Sequence, residues 1–242
     1  LGRMLPSLDG QHFISQISQT HPIIAQHKVG GAVVLPAATG LEMAITAVLL
    51  TSTAELQNVV LHHVSFASFV TLGAEPVSLR TELERGASGQ PGSDMTLRIS
   101  SDQDWLFAEV STDAAPLAIE WPDESRYAPE ISKEEFYSKV AQSGVDLGVA
   151  FQNVSKVHHS ISSDAHGKIV HLEIAPNLLE DQDAHPPHTC MIDAVLQTVM
   201  ALDGDAQTPQ YPFSIEALTF WRRSKQRSAS NEMKVWIKPD KT

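Results

Sequence analysis

The sequence predicts an α+β fold in which a buried helix and an antiparallel sheet occur twice. Two observations carry this expectation. Residues 37–50 and 190–202 are helix-length stretches that are apolar on nearly every side. Each is accompanied by short runs that read as strands, separated by turn chemistry, which suggests a sheet wrapped on one helix. A third observation divides the chain: residues 116–129 hold three prolines and several charges and read as a linker. The expected organisation is an N-terminal half (1–115), a linker (116–130) and a C-terminal half (131–242). No residue-level repeat accompanies the duplication, so it is read from architecture.

The elements follow in order. After His21-Pro22 and a short loop, Pro36 stands where a helix can begin, because its missing N–H and fixed φ suit a first turn. Residues 37–50 then form the first buried helix. Runs 59–69, 77–84, 95–100 and 106–111 read as strands, with glycine-rich turn chemistry at 86–92. In the second half, Ser132-Lys133-Glu134-Glu135 fits the capping-box pattern, so a short helix starts there. Residues 155–162 and 168–174 alternate like paired strands around a turn at 164–167. The second buried helix, 190–202, is followed by strand-like 214–220 and 234–237.

Composition bounds the function classes. The chain has 242 residues, 42% hydrophobic and 19% charged, which fits a globular protein and not a disordered, collagenous or coiled-coil one. Lys+Arg 17 against Asp+Glu 29 gives a net charge of −12, a poor match to a nucleic-acid backbone that must be neutralised by cations. Cys190 is the only cysteine, so neither an intrachain disulfide nor a thiolate cluster is available. The best apolar stretch, 40–50, is interrupted by Glu42 and is about half the ~20 residues of a membrane span. The start, Leu1-Gly2-Arg3-Met4, lacks signal-peptide shape and an initiator Met, and the chain stops in a charged tail. The expectation is a cytoplasmic domain excised from a longer polypeptide, without nucleic acid or membrane as partner.

Two groups carry chemistry. His27 opens the run His27-Lys28-Val29-Gly30-Gly31-Ala32-Val33-Val34-Leu35-Pro36, which ends where the first buried helix begins. Asp193 and Gln197 are i and i+4 in the other apolar helix and share a face. A carboxylate in so apolar a helix needs a reason, because burial without a partner is costly, and Gln197 can supply a hydrogen bond. Other polar features are weaker. His62-His63 and His158-His159 are adjacent pairs whose side chains leave opposite faces of a strand, and no His-Glu-x-x-His spacing occurs, so no metal is expected. Cys190 reads as core. Residues 221–227, with Arg222 and Arg223, form the densest basic cluster, readable as a solvated face or as a docking patch.

Taken together the motifs resemble those of dehydratase domains of modular polyketide synthases. His-x-x-x-Gly-x-x-x-x-Pro is matched by His27, Gly31 and Pro36, and Asp-x-x-x-Gln by Asp193 and Gln197, with His188 five residues before the Asp. Leu1-Gly2-Arg3 is similar to the family's opening, and Tyr211-Pro212-Phe213-Ser214 to its late Leu-Pro-Phe-Ser stretch. The resemblance covers essentially the whole chain. It implies a double hotdog, two helix-wrapped antiparallel sheets side by side. It implies elimination of water from a β-hydroxyacyl thioester, with His27 as base and Asp193 as acid, roles that imidazole chemistry and an apolar surround make physically reasonable. The Gly31 N–H and the helix start after Pro36 are then candidate donors to the thioester oxygen, with Gln197 in support. No metal or organic cofactor is implied, since the substrate rides the phosphopantetheine arm of an acyl carrier protein. That carrier, neighbouring synthase domains and a second copy in a homodimer are the implied partners, with Arg222 and Arg223 as the carrier-docking patch.

One departure matters. Where the family carries Tyr-Gly-Pro-x-Phe as a pocket wall, this chain has Leu147, Gly148, Val149 and, two residues on, Phe151. Leu147, Val149, Phe151 and His188 are the expected pocket residues. The lost phenol keeps two alternatives open: a dehydratase that goes on to close an oxygen heterocycle by oxa-Michael addition, and an inactive structural or acyl-binding hotdog domain.

Overall fold

The computed structural model describes residues 3–5, 11–52, 56, 58–85, 95–112, 120–161, 167–174, 188–201, 213–221 and 232–237. Its strands, in chain order, are β1 (Arg3–Leu5), β2 (Gln11–Ile17), β3 (His27–Val29), β4 (Ala32–Val33), β5 (Asn58–Phe66), β6 (Val77–Arg85), β7 (Met95–Ser100), β8 (Asp104–Thr112), β9 (Tyr127–Ser132), β10 (Val145–Leu147), β11 (Val154–Ser160), β12 (Lys168–Glu173), β13 (Ser214–Trp221) and β14 (Glu232–Ile237). The helices are α1 (Ala37–Thr51), α2 (Lys133–Gln142) and α3 (Thr189–Gln197). The expected turn at 86–92, turn residues 164–166 and linker residues 116–119 lie outside the described residues.

The chain divides into two units that exchange segments. The first comprises Leu1–Ala25, Val33–Pro116 and Tyr211–Arg227; the second comprises Gln26–Ala32, Leu117–Gln210 and Ser228–Thr242. In the first unit one seven-stranded antiparallel sheet runs β1-β2-β6-β7-β8-β5-β13. Helix α1 packs against β5, β6 and β7. Pro36 is its N-cap, in extended conformation at φ −61 and ψ 140. The helix is apolar all round because nine of its residues are buried, Ala38, Leu41, Ala44, Ile45, Ala47 and Val48 almost completely. Gly40 lets it approach β8 closely: a Cβ there would lie 2.9 Å from Leu106 Cδ1 and 3.2 Å from the Trp105 ring. Phe13, Leu61, Leu79, Leu97 and Ile99 complete this core.

The second unit holds a four-stranded sheet, β14-β12-β11-β9, with α2 against β9, β10 and β11. Ser132 caps α2, its hydroxyl accepting from the Glu135 N–H at 3.3 Å, as the capping-box pattern predicts. The core here is Phe151, Val154, Val157, Ile169, Val170, Leu172 and Cys190. Among the described residues no helix is long and apolar enough to cross a membrane.

Several elements differ from the sequence reading. Strand β13, expected with the second sheet, pairs with β5 along Ser214↔Ser65 to Trp221↔Asn58 and completes the first sheet. Alternation tells which face of a strand is buried but not which edge it joins. The second buried helix ends at Gln197 and tightens into a 3₁₀ turn, Thr198–Ala201. Strand β5 stops at Phe66 and carries a register shift between His62 and Ser65, where His63 adopts φ 49. Strands β1 to β4, β9 and β10 are additional to the sequence reading; only Phe13 and Ser15 of β2 are buried, too sparse a pattern to read.

Candidate active site

The residues singled out from sequence come together inside the second unit. Strand β3 carries His27 and pairs with β10 in the register His27↔Leu147, Lys28↔Asp146 and Val29↔Val145. Leu147, buried, therefore stands directly across the ladder from His27 on the same face, where cross-strand side chains meet. Beyond β3 the chain turns through Gly30 (φ 56) and Gly31 (φ 83), left-handed conformations that glycine adopts without strain. A Cβ on Gly31 would meet nothing within 4 Å, so backbone conformation and not crowding selects glycine there.

After β10 the chain enters a 3₁₀ turn, Val149–Phe151, closed by Phe151 N–H to Gly148 O at 2.9 Å. This turn is clamped by Gln26, the neighbour of His27. The Gln26 carbonyl accepts from Gly148 N–H at 2.8 Å, and its side-chain Oε1 accepts from Ala150 N–H at 3.0 Å. A Cβ on Gly148 would lie 2.5 Å from Gln26 Oε1 and 2.7 Å from its Cβ, so this clamp requires glycine. The turn presents the Phe151 ring, fully buried, edge-on to the His27 imidazole with centroids 5.3 Å apart.

Helix α3 carries Asp193. His188 is its N-cap, with Nδ1 accepting from Cys190 N–H at 3.1 Å. The His188 side chain thereby secures the start of the helix that carries Asp193. Asp193 is 7% exposed. Burial drives its carboxyl pKa upward, while the charge of His27 and the hydrogen bond from Gln197 pull it back down. Gln197, one turn on, uses both amide protons: Nε2 donates to Asp193 Oδ2 at 2.7 Å and to Phe151 O at 3.0 Å. Its Oε1 accepts from the Tyr137 hydroxyl at 2.9 Å. Asn153 ties the turn to the helix, donating from Nδ2 to Ala150 O at 2.8 Å and Cys190 O at 3.5 Å.

Tyr137, on α2, has no place in the sequence motifs. Its only signal is a phenol on the buried face of an amphipathic helix, beside Phe136 and Val140, where a buried hydroxyl must find a partner. Val149 is 79% exposed, so it is a surface residue and not part of an enclosed wall; the 3₁₀ turn that buries Phe151 turns Val149 outward. Pro36 belongs to the first unit. Arg222 and Arg223 lie outside the described residues, as do Tyr211 and Pro212. Among the described residues, no group of three or more His, Cys, Asp or Glu side chains is placed to hold a metal ion.

A buried carboxyl kept from ionising easily, within the electrostatic reach of an imidazole, is an arrangement for moving one proton off and another onto a substrate. Comparisons with known proteins agree on the kind of domain. The polyketide synthase dehydratase domain family model matches residues 1–102, and a second, described as polyketide synthase dehydratase N-terminal domain, matches residues 120–239. Polyketide synthase GfsB of Streptomyces halstedii is 25% identical over 214 residues, 81% of this chain and 4% of that protein. A phenolphthiocerol/phthiocerol polyketide synthase of Mycobacterium tuberculosis is 25% identical over 218 residues, 83% of this chain and 12% of that protein. The chain thus spans a small fraction of the length of these relatives. Among solved structures, the dehydratase domain from the CurK module of curacin polyketide synthase superposes with a TM-score of 0.81 at 18% identity, covering 99% of this chain and 87% of that one. The fold is a double hotdog.

Proposed function

We propose that this chain, which belongs to the polyketide synthase dehydratase domain family, removes water from a β-hydroxyacyl thioester to leave an α,β-unsaturated acyl chain. The observation that carries this reading is the buried Asp193, its carboxyl pKa raised by burial and lowered by the charge of His27. Neutral His27 takes the α-proton, and the electron pair released forms the Cα–Cβ double bond. The β-carbon–oxygen bond breaks, and the Asp193 proton goes to the departing oxygen, which leaves as water. The coupling between the two groups favours this order. Once His27 carries the α-proton its positive charge makes Asp193 a stronger acid, at the moment a proton must be donated. Charge gathering on the thioester oxygen needs a donor, and the Gly31 N–H is the candidate in this unit.

The reaction needs no metal or organic cofactor. As proposed partners, an acyl carrier protein presents the substrate on its phosphopantetheine arm and neighbouring synthase domains precede and follow the step; a second copy completes a homodimer, and Arg222 and Arg223 would meet the carrier. The direct test is incubation with a carrier-bound or small-molecule β-hydroxyacyl thioester, followed by mass. Loss of water supports the reading; an unchanged substrate sinks it in favour of a structural or acyl-binding domain. His27→Ala and Asp193→Asn should each cost ~10²–10⁴-fold in turnover, the usual worth of a positioned base or acid. A second reading rests on Leu147, apolar and directly across from His27. With a distal hydroxyl on the chain, the same pair in reversed roles would add that hydroxyl to the new double bond. Ring and open products share a mass, so chromatography or NMR separates them, and Leu147→Tyr should diminish the ring.

A further inference from the structure

We infer that Tyr137 is a positioning residue: its hydroxyl holds the Gln197 amide in the orientation that donates to Asp193. The inference rests on the dehydratase reading for its kinetic consequence but not for its structural one. The phenol oxygen accepts from Val154 N–H at 2.9 Å, and its single proton goes to Gln197 Oε1 at 2.9 Å, the Phe151 carbonyl being farther at 3.3 Å. Burial, and then the charge of Asp193, hold the phenol pKa above its ordinary value, so Tyr137 remains a donor throughout the working range of pH. Donation to Oε1 satisfies a carbonyl that would otherwise be buried without a partner, and it polarises the amide so that Nε2 donates more strongly. Both Nε2 protons are then committed, one to Asp193 Oδ2 and one to Phe151 O. Phe151 also carries the ring that touches His27. A hydroxyl on α2 thereby steadies both partners of the proposed acid–base pair without touching substrate.

The consequence has a sign. The Gln197 hydrogen bond favours the carboxylate form of Asp193. Weakening it through Tyr137→Phe should let Asp193 hold its proton to higher pH, moving its titration and the alkaline limb of kcat up by about 0.5–1 pH unit. A purely structural tyrosine would lower the melting temperature or kcat and leave the limb in place.

The experiment is a carbon-13 NMR titration of the Asp193 carboxyl in wild type, Tyr137→Phe, Gln197→Met and the double variant, alongside the pH profile of kcat. The titration needs no turnover, so it tests the inference even if the dehydratase reading fails. An upward shift in Tyr137→Phe that vanishes in the Gln197→Met background supports the inference. No shift, or an equal shift without Gln197, overturns it. Should Tyr137→Phe fail to fold, replacing tyrosine by 3-fluorotyrosine keeps the shape and makes the phenol a stronger donor. The Asp193 titration should then move down, and an unmoved titration overturns the inference.

Discussion

At the scale of single residues, the acid role proposed for Asp193 sets activity against stability. Its folded pKa lies above the ordinary value of 3.8, chiefly because burial penalises the charge. The folded state therefore holds this proton more tightly than the unfolded chain does. The sign follows: stability associated with the group is full below 3.8 and is lost as pH rises through the folded pKa. Asp193→Asn removes that dependence while keeping an oxygen for Gln197. The variant should melt above wild type, with a gap that widens as pH rises and then levels, by ~2–4 °C per kcal/mol for a chain of this size. Calorimetry across pH checks it, and an equal melting temperature at every pH would show that the carboxyl is not held protonated by its surroundings. The motif spacing makes His27, Asp193 and Gln197 legible in the sequence. Tyr137 is not, because a partner 60 residues away in the chain leaves no local pattern.

At the scale of elements, two predictions concern the second unit. The turn after β10 depends on Gly148, since any Cβ would displace the Gln26 side chain that accepts from Ala150. Gly148→Ala should destabilise by about 1–3 kcal/mol, the range for forced overpacking, as measured by denaturant unfolding. Adding Gln26→Ala should recover part of that loss, and purely additive costs would contradict the clamp. The second prediction concerns β11 and β12, where the rings of His158 and His171 stack with centroids 4.5 Å apart. Burial first lowers the pKa of both. Lys156 adds to this for His158, and the charge of its partner ring adds to it for His171. A lowered imidazole pKa gives stability that is present above 6.5 and lost as pH falls through the folded value. The melting temperature should therefore drop below pH 6.5, and His171→Gln should flatten that drop. An unchanged slope in the variant would remove the pair as its source.

At the scale of the whole molecule, the sheets are completed by strands from distant parts of the chain. β13 is an edge of the first sheet and β14 an edge of the second. A chain ending at residue 210 lacks both. It should lose amide protection at β5, which pairs with β13, and at β12, which pairs with β14. Hydrogen exchange reads this strand by strand. Protection retained at β5 would mean the first unit is complete without the C-terminal strand, as a simple succession of halves would require.

The sequence by itself determined what depends on near neighbours. Apolar periodicity set α1 and the start of α3, alternation set β6, β7 and β12, Ser132 set the start of α2, and the i, i+4 spacing put Asp193 and Gln197 on one face. Tertiary structure alone decided the rest. Every strand offers the same backbone donors and acceptors, so only packing selected β5 as the partner of β13 and β10 as the partner of the segment carrying His27. The same short turn buried Phe151 and exposed Val149, residues that stand alike in the family motif. How readily a carboxyl gives up its proton is likewise a property of what surrounds it: α3 brings Asp193 as a side chain, and burial raises its pKa while the charge of His27 and the hydrogen bond from Gln197 pull it down.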